Sequence, residues 1–143
     1  MGRVINTNNP GKRRNHHMRT IAELMRLLTS RNSVDDDVKD MLAAIVFLLR
    51  EVNATVEESI TAWEKRGYWK KADDFQNKWW WASNLALDIE KTLQQENWEN
   101  IPNILLKIYP HVSAIEIKSI TRNSDAWAGA HHRLMNQDNA GDS

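Results

Sequence analysis

Apolar side chains recur through most of this chain at steps of three and four, the period of an amphipathic helix. Met18, Ile21, Leu24, Met25 and Leu28 share one helical face and predict a first helix over His17–Ser30. Thr29-Ser30-Arg31-Asn32-Ser33 closes it. Val38, Leu42, Ile45, Leu49, Val52, Val56 and Trp63 then alternate between fours and threes, with Ser59 filling one slot. That is close to a heptad seam. Ser33 is the candidate N-cap, and Asp35, Asp36 and Asp37 occupy the first turn, where the helix dipole favours negative charge. The pattern reaches Arg66, and Gly67 suits a helix stop.

After Gly67 the spacing resumes through Trp69, Ala72, Phe75, Trp79, Ala82, Ala86, Ile89 and Leu93, to about Glu96. One glycine between two long amphipathic segments predicts an antiparallel hairpin, Val34–Arg66 against Tyr68–Glu96. Pro102 suits the first turn of a short helix, Ile101–Ile108, which Tyr109-Pro110 ends. Ala114–Ile120 alternates apolar and polar. A lone strand has no partner in a helical chain, so this stretch is expected as a helix or an extended packing segment. Asn123-Ser124-Asp125 is a cap for a final helix, Ala126–Asn136. The expected fold is all-α, a four- or five-helix bundle around the long hairpin. It forms one domain over residues 16–136, between an irregular basic arm (1–15) and a frayed tail (137–143).

Composition narrows the function classes. No apolar run approaches the ~18 residues of a transmembrane helix, and the start lacks a secretory or lipidation signal. With no cysteine there are no disulfides, thiolate metal sites or cysteine nucleophiles. The expectation is a cytoplasmic protein without membrane contact. The formal net charge is zero, but residues 1–34 carry seven basic side chains against one acidic. Residues 35–66 carry four basic and eight acidic. A basic head on an acidic body points to an anionic partner, or to docking within the chain.

Catalytic signals are absent. Adjacent histidines (His16-His17, His131-His132) point about 100° apart on a helix and rarely share a metal. No HExxH or Glu-x-x-His pattern occurs. Asn9-Pro10-Gly11-Lys12-Arg13 lacks the earlier glycine and the Ser/Thr of a phosphate loop. The helical carboxylates have lysines at helical spacing, as a solvated charged face does. No enzyme, metal or cofactor is expected.

Seven tryptophans are unusual for 143 residues. Trp63 and Trp79 fall on the seams. Trp79-Trp80-Trp81 cannot all face inward, and Trp81 lies nearly opposite Trp79, beside Asn77, Asn84, Leu85 and Asp88. Its indole needs cover, from the first helix, from the segment after Trp98, or from a partner. Trp81 and Leu85 are therefore the candidate protein interface, with a homodimer among the partners.

The opening stretch is the other handle. Arg3, Lys12, Arg13, Arg14, His16, His17 and Arg19 make a basic cluster suited to phosphate. Val4-Ile5 with Asn6, Asn8, Asn9, Pro10 and Gly11 reads as a shaped segment that orders on contact. The leading expectation is a non-enzymatic protein whose basic arm contacts nucleic acid or a nucleoprotein assembly. The alternative is an interaction or scaffold subunit using the Trp-rich helix face, with the tail on an acidic partner. Gly2-Arg3-Val4-Ile5-Asn6, Pro10-Gly11-Lys12, Arg14-Asn15 and Arg19–Leu24, continuing through Ile45-Val46-Phe47 and Ala62–Arg66, resemble a small family of helical bacterial proteins. The resemblance implies a bacterial, cytoplasmic, helical protein and carries over no catalytic residue.

Overall fold

The computed structural model describes residues 9–141, with side chains through Gln137. Among these residues there are five α-helices: α1 (Pro10–Thr29), α2 (Asp36–Lys65), α3 (Trp69–Gln94), α4 (Ile101–Val112) and α5 (Ala130–Gly141). Helix α2 packs along α1, α3 and α5, while α4 packs against both α1 and α3. The fold is an all-α bundle centred on the α2–α3 hairpin. No helix of the described residues is long and apolar enough to cross a membrane.

The chemistry of α2 explains its central place. Met41-Leu42-Ala43-Ala44-Ile45-Val46 are six consecutive buried residues, so they cover every face of the helix. A helix apolar all round belongs in the interior of a bundle. The seam positions Leu42, Ile45, Leu49 and Val52 are all buried, and α3 answers them with Ala82, Ala86, Ile89 and Leu93. Between the two helices, the Gly67 N–H donates to the Glu64 carbonyl (3.0 Å) and the Tyr68 N–H to the Trp63 carbonyl (2.9 Å). This is a complete Schellman stop, and it requires the left-handed φ of +78° at Gly67.

Several boundaries differ from the expected ones. Helix α1 begins seven residues before His17, so residues 10–15 of the expected irregular arm are helical. The reason is local: the Asn9 side-chain oxygen accepts from the Gly11 N–H (2.8 Å) and the Lys12 N–H (3.3 Å), and Pro10 occupies the first turn. Asp35 rather than Ser33 caps α2, accepting from the Val38 N–H at 2.9 Å. Trp69 does not join the α3 seam. At 100° per residue it stands about 60° round the helix from Ala72, about 80° from Trp79 and about 120° from Phe75, and it is 64% exposed. Helix α4 runs through Pro110 to Val112, because the proline sits near its end on an exposed face. Helix α5 starts at Ala130, after a short 3-10 turn at Ser124–Ala126, and its backbone stays helical through Gly141, where a frayed tail is expected.

Two acidic residues of α2 seat α5. Asp40 accepts from the Gly129 N–H (3.2 Å) and the His131 N–H (3.0 Å), at the helix start. Asp37 accepts from the indole Nε1 of buried Trp127 (2.5 Å) and pairs with Arg31 (2.8 Å).

The stretch expected as a helix or extended segment, Ala114–Ile120, is irregular, with a turn and bends and no helix. It is tied down by one polar stripe of α1. Arg19 donates to the Glu116 carbonyl (3.4 Å) and Arg26 to the Ile117 carbonyl (3.0 Å). Between them Glu23, fully buried, accepts from the backbone N–H and hydroxyl of Thr121 and from the Arg122 N–H. Burial alone would raise the Glu23 carboxyl. The bonds from Thr121 and Arg122, with the nearby Arg122 charge, outweigh it and hold the group below its ordinary value.

Candidate nucleic-acid interface

The expected phosphate-contacting cluster does not form one patch. Arg3 lies outside the described residues. Arg13 donates to both carboxylate oxygens of Glu58, at 2.8 and 2.7 Å. Arg14 is only 8% exposed. Its Nε donates to Thr55 Oγ1 (3.1 Å) and its Nη2 to the Thr55 carbonyl (3.3 Å) and Ser59 Oγ (2.9 Å). The guanidinium lies over the rings of Phe75 (4.7 Å) and Trp79 (5.5 Å). Arg14 is a structural residue that joins α1 to both arms of the hairpin, and it is too enclosed to reach a phosphate.

His17, three residues on, is half-buried on the same side of α1. Burial lowers its basicity, and the charges of His16 and Arg13 add to this against an opposing Glu51. Arg19 serves the strap described above. His16 is exposed, with a ring nitrogen 3.2 Å from Arg122 Nη2. Lys12 is exposed in the first turn of α1. Helical geometry thus scatters a cluster that is compact in sequence; Arg13 is engaged at the surface by Glu58 and Arg14 is enclosed between the helices.

The basic, aromatic end of the molecule is the hairpin tip. Lys65, Arg66, Lys70, Lys71 and Lys78 are all exposed there. Within residues 64–78 they face three acidic side chains, Glu64, Asp73 and Asp74, of which Asp74 pairs with Lys70 (3.3 Å). Tyr68 is 53% exposed and Trp69 64%. Beside them is an open cleft of about 530 Å³, lined by Trp63, Lys70, Lys71, Asp74, Phe75 and Lys78. Trp63 meets Phe75 edge-to-face (4.8 Å, 84°), and Lys71 Nζ sits 4.5 Å from the Trp63 ring centre. The start of α1 comes to the same end of the bundle: Pro10 and Lys65 line one neighbouring cleft with Glu57 and Glu58.

Seam spacing alone makes Gly67 a helix stop and Trp69 a seam position, and so does not mark this surface. The signal was present in Lys65-Arg66-Gly67-Tyr68-Trp69-Lys70-Lys71, where basic and aromatic residues interleave across a turn.

The candidate protein interface is mostly covered from within. The Trp81 indole lies flat on the imidazole of His111 from α4, and Leu85 is buried. The cover comes from the segment after Trp98, one of the two intramolecular sources expected. What stays open on this side is Trp80, 58% exposed, at the rim of a groove of about 430 Å³ between α3 and α4. Asp88 and Lys107 bridge the groove at 3.2 Å. Burial lowers the basicity of His111.

Among the described residues, no three His, Asp or Glu side chains gather in a way that could hold a metal ion. No family model, curated protein or solved structure matches the chain, and the likeness of its opening motifs to helical bacterial proteins gains no support from these comparisons.

Proposed function

We propose that this is a binding protein whose basic, aromatic-rich end contacts nucleic acid or a nucleoprotein assembly. One observation carries the proposal: Tyr68 and Trp69 stand exposed among five exposed basic side chains at the hairpin tip. Lysine and arginine supply phosphate contacts driven by counterion release, and exposed aromatic rings supply contact area that the fold does not use. Lys12, exposed in the first turn of α1, adds to the charge of the same end. The tip therefore takes over the role expected of Arg13 and Arg14. No catalytic residue or cofactor is assigned, and the proposed setting is the cytoplasm.

Fluorescence anisotropy with labelled duplex DNA, structured RNA and single strands, at several salt concentrations, tests this. Binding that weakens steeply with salt is expected. No binding at low salt would overturn it.

A second reading has its own support. Trp69, Trp80 and Leu87 are all exposed and fall on one face of α3, eleven and seven residues apart. A protein partner could use that face, with Trp80 in place of the buried Leu85. Such binding would tolerate salt and fail on Trp80→Ala.

A further inference from the structure

We infer that the hairpin tip binds single-stranded nucleic acid, stacking unpaired bases on Trp69 and Tyr68; the inference rests on the nucleic-acid reading above and names the class of strand.

The two rings do not serve the fold. Trp69 makes no ring, cation or side-chain hydrogen-bond contact among the described residues, and it keeps 64% of its surface in solvent. Its neighbours behave differently: Trp63 is engaged by Phe75 and Lys71, and Trp79 by Phe75, Trp81 and Arg14. Trp69 is the tip indole with its faces open.

The platform beneath the rings is fixed. The Tyr68 N–H is held by the Trp63 carbonyl, and the Tyr68 carbonyl accepts the Ala72 N–H at 3.0 Å. Ala72, three residues after Trp69, is buried in the hairpin seam. Rings presented on a rigid backbone lose little conformational freedom when a partner docks.

The choice between single strand and duplex follows from the chemistry of the bases. In a duplex, base faces are hidden in the stack, and a protein meets phosphates and groove edges. Lysines alone serve that purpose, and two open aromatic rings would stay unused. An unpaired strand offers every base as a π-face alongside its phosphates. Lys65 and Arg66 precede the rings in the chain and Lys70 and Lys71 follow them, all four exposed, so cations flank the aromatic pair and can meet the phosphates of a stacked strand. Stacking on aromatics and tracking by basic side chains is how sequence-tolerant single-strand binding works. Ribose and deoxyribose strands share this chemistry.

The test uses the full chain with labelled oligo-U, oligo-dT and a hairpin duplex, by anisotropy at one moderate salt concentration. The single strands should bind more tightly than the duplex. Trp69→Ala should weaken single-strand binding about five- to 150-fold, the range of one base stacked on an aromatic ring. It should leave duplex binding within about twofold. Trp69→Phe should restore much of the loss. Trp69 is exposed, so these variants fold, and circular dichroism verifies it. Tighter binding to duplex, or single-strand binding untouched by Trp69→Ala and Tyr68→Ala, overturns the inference. If Lys70→Ala with Lys71→Ala still weakens every nucleic acid in that second case, the broader reading survives alone. If no oligonucleotide binds with a salt response, both fall.

Discussion

The indole of Trp81 on α3 and the imidazole of His111 on α4 are stacked in parallel, ring centres 3.6 Å apart and planes 5° apart. This contact ties the short α4 to the long hairpin and covers a tryptophan that faces away from the seam. Replacing His111 with Ala should cost about 1 kcal/mol beyond the area lost, the usual worth of an aromatic pair. Urea unfolding followed by circular dichroism measures it, and tryptophan emission should shift red as the indole meets water. An unchanged midpoint would show that the stack does not bear on stability.

His111 and His17 also give the fold a pH response. Burial lowers both below the ordinary histidine value. Between the lowered value and the ordinary value near 6.5, the unfolded chain binds more protons than the folded one. Stability is then full above about 6.5 and falls as pH drops through that window. The urea midpoint should be lower at about pH 5 than at about pH 7.5, and His17→Gln with His111→Gln should flatten the difference. A midpoint that rises on acidification would contradict this.

Arg14 should matter to the fold and little to binding. Arg14→Ala leaves Thr55 and Ser59 without their donor and removes the cation above Phe75, at a cost of about 2–3 kcal/mol. Arg14→Lys should recover little, because an ammonium cannot replace the flat fork that reaches three acceptors. Thermal unfolding of the two variants distinguishes these outcomes. Full rescue by lysine would mean that charge alone is what counts.

Glu23 holds the segment after α4 through bonds to a charged acceptor, each of a kind worth about 1.5–3 kcal/mol. Glu23→Gln should speed hydrogen exchange at the Thr121 and Arg122 amides well beyond any change in the α2 core. Equal protection in the variant would remove Glu23 from that role.

Gly67→Ala isolates a backbone cost. A Cβ built there meets nothing within 4 Å, so only the φ of +78° resists it. The expected loss is about 1 kcal/mol, with no change in the shape of the unfolding transition.

The hairpin was legible because heptad-spaced Leu42, Ile45, Leu49 and Val52 bury one face, and the Gly67 stop has an unmistakable chemistry. Other features were legible only after a different question. Asn9-Pro10 reads equally as a turn or as a cap with a first-turn proline, and the choice depends on whether Arg14 finds partners 41–45 residues later. The run Met41–Val46 already speaks for a helix wrapped on all sides, more than for a two-faced seam. The strap over α1 could not be read at all, since Arg19, Glu23 and Arg26 look like ordinary surface charges until residues 116–122 lie across them. Likewise, a string of basic residues is a patch only in an extended chain. On a helix, Lys12 turns outward while Arg14 turns into the core.

The most direct test of the central claim is the salt dependence of nucleic-acid binding in the intact chain, compared with a tip variant (Lys70→Ala, Lys71→Ala, Lys78→Ala) and with Arg13→Ala. If the tip is the contact surface, the triple variant should bind more weakly and its slope of log affinity against log salt should fall by about one per lysine engaged. Arg13→Ala, which removes the ion pair with Glu58, should change the slope by less than about one. A triple variant with unchanged affinity and slope would contradict the claim.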